Sequence, residues 1–262
     1  MSISFLVGNW RIRFSGKTDV GKVRALNEDT LHVPTDMPLV VVADGMGGHA
    51  AGDVASRLAV DTILAYFDET AGEPVPTWPL RLPQLQVERD RMATAIKLAN
   101  VQIHEAGKKE DGKKGMGTTV DAMYFAQGRY YIGHVGDSRV YRLRGDRLTL
   151  LTEDHSLLND YRRMKEMTPE EVRAFPHKNV VVRALGLAES VYVDVYVDQF
   201  EEGDLFLLCS DGLSDMVEDA TIRDVLVGER NLDKAAARLV EAANDAGGKD
   251  NITAALARVE AS

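Results

Sequence analysis

The chain has 262 residues, a length that suits one large domain or two small ones, and 45% of them are hydrophobic, enough for a proper core. A formal net charge of -10 argues against a nucleic-acid partner, which needs a basic surface, and agrees with carboxylates that hold cations. The one cysteine, Cys209, excludes an intramolecular disulfide; inside the apolar run LFLLCS it reads as a small buried hydrophobe.

The N-terminal MSISFLVGNWRIRF lacks a basic leader, and its apolar run is too short for a signal peptide. No stretch approaches the length of a membrane span, so the expectation is a cytoplasmic protein with no membrane partner. RIRFSGKTD and the LHV run read as short strands around KVRALNED, and PLVVVAD as a strand buried on both faces. DVASRLAVDTILAYF has helical spacing. The stretch from Asp68 to Pro83 carries Pro74, Pro76, Pro79 and Pro83 and reads as a surface loop. Arg91 to Ala106 reads as a helix, with Met92, Ala95, Ile96, Ala99 and Ile103 on one face. GKKEDGKKG reads as a solvated turn.

The period then changes. TTVDAMYFA, RYYIGHV, SRVYRLR and RLTLL are short β-type runs split by turns, which predicts an antiparallel meander of hairpins, one of them turning at Asp137–Arg139. His155 to Ala174 is polar and helical in pattern, with Thr168 as a cap and Pro169 in the first turn. VYVDVYVD alternates as a half-exposed strand does, and DLFLLCS is a second buried strand. ATIRDVLVG and LDKAAARLVEAANDAG are amphipathic helices, the latter ending at Gly247–Gly248, and NITAALARVE is a final strand. The fold class these elements predict is α+β with antiparallel sheets.

Three times an apolar run leads straight into an aspartate flanked by glycine: Asp44, Asp137 and Asp211. Asp250 stands just before the last strand. A carboxylate at the tip of a buried strand is costly unless its charge is compensated. A single such tip is unremarkable, and a lone AspGly is usually turn chemistry. Four of them point to a shared countercharge, and hard divalent cations held by oxygen are the usual one. The absence of a Cys/His cluster argues against zinc. Of the four, Asp250–Asn251 reads most easily as a simple turn.

The ordered set is more specific. Arg24-Ala-Leu-Asn-Glu28-Asp29, Asp44-Gly-Met-Gly-Gly-His-Ala-Ala-Gly52, Gly117-Thr-Thr119, Gly136-Asp137-Ser-Arg139, Leu151-Thr-Glu-Asp154-His155-Ser156, Ser210-Asp-Gly212 and Asp250-Asn251 follow one another across nearly the whole chain. This resembles the metal-dependent serine/threonine protein phosphatases, the PPM or type 2C family, in their bacterial form. The resemblance implies one catalytic domain over 1–262, built as a four-layer α-β-β-α sandwich of two antiparallel sheets flanked by helices, with a flap subdomain at about 156–180.

It also implies two catalytic Mn2+ or Mg2+ ions and a third, weaker site. Asp44 would bridge the two metals, the Gly45 carbonyl would bind one, and Asp211 and Asp250 would complete the other. Asp137 would hold the third ion together with Asp211. Glu28 would reach a metal through water, Asp29 would orient metal-bound water, and Arg24 would grip the phosphate with a planar fork that lysine cannot copy. Glycine after Asp44 and Asp211 would let the backbone turn sharply beneath the metals.

The implied reaction is direct attack of a metal-bridging water on phosphoserine or phosphothreonine, without a phosphoenzyme. The implied partners are phosphorylated proteins and a bacterial serine/threonine kinase, with the chain itself a monomer. A phosphoprotein-binding module without catalysis would show loss of a metal aspartate, and none is lost.

One departure stands out. Many eukaryotic members carry histidine, as proton donor to the leaving group, where this chain has Met46; His49, three residues on, is the candidate general acid, with a metal-bound water as the alternative. Thr118, Thr119 and the remaining histidines read as structural or solvated, and Asp154 and His155 as structural residues that position the segment after them, with a helix cap as the alternative.

Overall fold

A strand that is apolar at every position must be covered on both faces. In the computed structural model, described for residues 3–47, 51–72, 84–109, 113–173, 175–177 and 180–262, four layers supply that cover. One antiparallel sheet comprises β1 (Ile3–Val7), β2 (Trp10–Asp19), β8 (Arg139–Arg144), β9 (Arg147–Leu150), β11 (Leu205–Cys209) and β12 (Ile252–Ala261), in the order β1-β2-β12-β11-β8-β9. The other comprises β3 (Asp29–His32), β4 (Leu39–Met46), β6 (Val120–Ala126), β7 (Arg129–Val135) and β10 (Asp194–Gln199), in the order β10-β7-β6-β4-β3, with β5 (Gly117–Thr118) paired to the end of β4.

Side chains alternate between cores as the pleat requires. On β4, Val40 and Val42 face the core between the sheets, with Phe125 of their own sheet and Phe206 and Ala255 of the other. Leu39, Val41 and Ala43 face α1 (Gly52–Glu69) and α2 (Gln84–Lys109), against Ala55, Ile63, Met92 and Ile96. On β11, Leu205, Leu207 and Cys209 face α6 (Asp219–Gly228) and α7 (Leu232–Asp245), against Ile222, Leu239 and Val240. The four-layer sandwich therefore stands, and Cys209 is a buried, unpaired core residue. Met92, Ala95, Ile96, Ala99 and Ile103 are all fully buried, as their spacing predicted.

The differences have local causes. β1 was not legible, because its alternation is weak and only Val7 of its five residues is buried. The helix expected from Arg91 begins at Gln84; its extra turns are polar and carry no apolar stripe. The polar segment after His155 forms two short helices, α3 (Leu157–Met164) and α4 (Pro169–Arg173). Ser156, not Asp154 or His155, caps the first, its hydroxyl accepting from Asn159 N at 3.3 Å. Thr168 and Glu171 form a reciprocal capping box at the second. The meander is divided: β6 and β7 pair in one sheet, β8 and β9 in the other. Gly136–Ser138 is thus a crossing between sheets, not a hairpin turn. The expected 68–83 loop falls largely outside the described residues, at 73–83; of the GKKEDGKKG turn, 107–109 instead close α2, 110–112 lie outside the described residues, and 113–115 form a turn.

The chain at 184–189 is tied down by the buried Asn100, with His104 Nδ1 2.9 Å from the Gly186 carbonyl. Asn100 on α2 accepts from Gly186 N at 2.9 Å and donates to the carbonyls of Ala188 and Glu189 at 3.1 and 3.2 Å. Leu185 then pairs with Thr118 beside the end of β4. Asn100→Ala leaves those backbone groups without their partner, and urea denaturation should show a loss of about 1–3 kcal/mol; an unchanged midpoint would mean that 184–189 is not anchored through Asn100.

Candidate active site

Three strands of the two sheets end, and one begins, around a single cavity of about 450 Å³. Its walls are Arg24, Glu28, Asp44, Gly45, Met46, Gly47, Thr119, Asp137, Val181, Asp211 and Asp250. Asp44 lies near the end of β4, Asp137 in the crossing from β7 to β8, Asp211 at the start of α5 (Asp211–Ser214) behind β11, and Asp250 just ahead of β12. The aspartates singled out in the sequence, far apart along the chain, do converge.

Backbone contacts fix them. Asp44 N donates to Thr119 Oγ1 at 3.0 Å, and the Asp44 carbonyl accepts from Thr119 N and Thr118 Oγ1, each at 2.8 Å. Thr119 Oγ1 also lies 2.8 Å from Ser138 Oγ, next to Asp137. Gly45 N donates to the Glu28 carbonyl at 3.2 Å, and Glu28 Oε1 accepts from Gly52 N at 3.2 Å. The reason for glycine at Gly45 and Gly212 differs from the sharp turn expected. A Cβ on Gly45 would stand 2.1 Å from Gly52 O, and one on Gly212 would stand 1.9 Å from Asn251 O. Both are sites where backbones press together beneath the carboxylates.

Burial and mutual repulsion dominate the electrostatics. Asp44 is raised well above the usual carboxylate range by desolvation and by Asp29, Asp211 and Asp137. Asp211 is pushed up to about 8 by burial and the charges of Asp137 and Asp250. Asp137 rises to about 6, through burial and then Asp154. Five carboxylate residues line the cavity beside one arginine, so the protein's own cations leave the negative charge uncompensated. Oxygen donors in deficit of positive charge fit a hard divalent ion. Among the described residues no three His, Cys, Asp or Glu side chains form a ready cage for one ion. Ions of the Mg type keep several waters and need only one or two carboxylates each, so the donor set fits them.

Other expected residues stand differently. Arg24 lies at the mouth, where Nη2 donates to Asp250 Oδ2 at 2.7 Å. Asp29 is buried behind Asp44, its cross-strand neighbour, and does not line the cavity. Its Oδ2 accepts from Ser210 Oγ at 2.8 Å and Thr253 Oγ1 at 2.6 Å, while Oδ1 is buried without a partner. Burial lifts Asp29 to about 6 despite those two hydroxyls. Met46 does line the cavity, so the departure noted in the sequence faces the site. His49 lies outside the described residues.

The turn reading of Asp250–Asn251 missed Asn251. Its Oδ1 accepts from Glu28 N at 2.7 Å, and its Nδ2 donates to Leu26 O at 2.9 Å and Val20 O at 3.0 Å. One side chain therefore holds the loop bearing Arg24 and Glu28 against Asp250. The sequence marked Asn251 only as the neighbour of Asp250 in the ordered set, with nothing to show that its side chain reaches Glu28.

A family model described as "Protein phosphatase 2C" matches residues 22–257. Serine/threonine phosphatase stp of Listeria innocua is 40% identical over 247 residues, covering 92% of this chain and 93% of its own. The crystal structure of the Mycobacterium tuberculosis serine/threonine phosphatase PstP/Ppp superposes with a TM-score of 0.82 at 35% identity, over 95% of this chain and 99% of that one. The catalytic domain of PstP in complex with two manganese ions gives 0.82 at 35% identity, over 96% and 99%.

The raised carboxylates fix the sign of a pH effect. An acid whose folded pKa exceeds its unfolded value binds more protons when folded, so stability falls as pH rises toward the folded pKa. His155, depressed to about 4 by burial and the nearby His134 and Arg183, acts oppositely but only below 6.5. Between pH 6.5 and 8 the chelated protein should therefore lose thermal stability, with Asp211 titrating near 8. Added Mn2+ should raise Tm by an increment that grows over the same interval. A chelated Tm that rises with pH there would contradict the charge deficit.

Proposed function

The chain belongs to the protein phosphatase 2C family, and on that premise we propose that the acidic cavity is its active site, with Arg24 at the mouth as the phosphate grip. The protein is a metal-dependent protein serine/threonine phosphatase that uses Mn2+ or Mg2+ and acts on phosphoproteins. The observation that carries the site assignment is the convergence of Asp44, Asp137, Asp211 and Asp250 on one cavity with a deficit of positive charge.

Asp44, the Gly45 carbonyl, Asp211 and Asp250 would hold two ions, Asp137 a third and weaker one, with Glu28 reaching an ion through water. When bound, the ions supply positive charge to the phosphoryl oxygens and lower the pKa of water, so that water can act as nucleophile at neutral pH. The residues' own tasks are positional. Arg24 is half exposed, so its fork can leave Asp250 for two phosphate oxygens. Asp29 acts from behind the wall as a fixed negative charge next to Asp44. His49 remains the proposed proton donor to the leaving group, as Met46 carries no proton to give. The segment at about 156–180 is the proposed flap of a single catalytic domain, since Ser156 bridges to Val181, which lines the cavity.

Opposition to a serine/threonine kinase, a monomeric state and a cytoplasmic location are proposed with it. The net charge of -10 supports a protein rather than a nucleic-acid substrate. Among the described residues no helix is long and apolar enough to cross a membrane.

Purified protein with Mn2+ should release phosphate from a phosphothreonine peptide, and chelator should stop it. Asp211→Ala should lower kcat at least about 100-fold, the scale on which groups around a catalytic metal act. Arg24→Lys should raise KM about tenfold or more, since one charged hydrogen bond is worth about 1.5–3 kcal/mol. Release that persists in chelator, or in Asp211→Ala, would refute the assignment.

A further inference from the structure

The crossing at Gly136–Ser138 presents Asp137 to the cavity, and two segments grip it. On one side stands Thr119, packed so closely that a Cβ on Gly136, whose φ is 121°, would lie 2.5 Å from Thr119 Cβ. On the other stands Asp154–His155. His155 N donates to Gly136 O at 2.7 Å, and Gly136 N donates to the ring nitrogen Nδ1 of His155 at 3.0 Å. Beside them Arg139 holds Asp154 in a fork, with Nε 3.0 Å from Oδ1 and Nη2 2.7 Å from Oδ2.

The ring's tautomer follows from its partners. Gly136 N–H is a donor, so Nδ1 must carry a lone pair, and the proton of a neutral ring sits on Nε2. Nε2 lies 2.6 Å from Asp194 Oδ2, which accepts that proton, and 2.8 Å from Arg183 Nη1, which cannot. Arg183 Nη1 donates instead to the same Asp194 oxygen at 2.7 Å. The ring itself is 4% exposed and packs tilted against His134, ring centroids 4.6 Å apart. A structural role for His155 is what the sequence predicts; the helix cap beside it is Ser156.

We propose that His155 is a positioning residue for Asp137: through Nδ1 it fixes the Gly136 peptide, and with it the direction in which the Asp137 carboxylate enters the cavity. Asp194 acts one step further out, holding the ring in the only tautomer that can accept from Gly136. The assignment rests on the reading of Asp137 as ligand of the weakest-bound ion.

Two substitutions separate positioning from bulk. His155→Asn places an amide oxygen where Nδ1 stands and loses the reach to Asp194; His155→Gln reaches toward Asp194 and loses the acceptor for Gly136 N. Calorimetric titration of the full chain with Mn2+, beside a melting curve for each variant, reads the effect without turnover. His155→Gln should weaken the weakest Mn2+ class at least tenfold and leave the tighter ions within twofold. His155→Asn should stay within threefold of the parent in every class, despite a similar fall in Tm. Asp194→Asn keeps the ring and removes the charge that sets its proton; it should weaken the same class about threefold, and it decides the matter if His155→Gln does not fold. Asp137→Asn is the control. If it loses the weakest class while the Asn and Gln variants behave alike, the positioning role is overturned alone. If it loses no ion, the ligand reading of Asp137 fails and the positioning role fails with it.

Discussion

Like charges held close together in a poorly solvated cleft are the constraint on which the rest of this structure depends. Asp44, Asp137 and Asp211 are each raised by their neighbours as well as by burial, and Asp29 behind the wall adds to the load on Asp44. A fold can sustain such a cluster only if its backbone leaves the side chains little freedom to separate. Both sheets contribute: Asp44 sits near the end of a strand in one, Asp211 and Asp250 lie beside strands of the other, and Asp137 occupies the crossing between them. The inter-sheet core of Val40, Val42, Phe125, Phe206 and Ala255 sets the spacing of these strand ends.

Around the cleft, small polar groups do the fastening. Thr118, Thr119 and Ser138 hold the Asp44 backbone and the Asp137 crossing together. Asn251 ties Glu28 and the Arg24 loop to Asp250, while Ser210 and Thr253 share one oxygen of Asp29. None of these can leave without stranding a buried backbone or carboxylate partner. The glycines answer a different need. At Gly45 and Gly212 the backbone runs so close to its neighbour that no Cβ fits.

Much of this was legible in the sequence because the burial pattern repeats it. The LVVVA core of PLVVVAD and the LFLLC core of DLFLLCS are apolar throughout since each strand faces a helix layer on one side and the opposite sheet on the other. An aspartate ending such a run stands out. The positions of the fasteners were not legible: Asn251 and Glu28 are 223 residues apart, and Ser210 and Asp29 are 181 apart, with no periodicity to link them. The division of the meander between two sheets was equally hidden, since β7 and β8 alternate alike whichever sheet receives them. β1 lay below notice because most of its residues stay exposed.

Arg24 shows how the cleft can serve binding as well as balance. At the mouth it is the one cation among the lining residues, and it rests on Asp250. A bound cation near Asp250 would compete for that carboxylate and free the fork for an incoming anion. The central claim, that these carboxylates tolerate one another because ions sit between them, is tested most directly by anomalous diffraction at the manganese edge from crystals grown with Mn2+. The account requires anomalous peaks inside the cleft, with carboxylate oxygens of Asp44 and Asp211 among their nearest protein atoms. A cleft without anomalous density at saturating Mn2+, or ions bound only elsewhere on the surface, would contradict it.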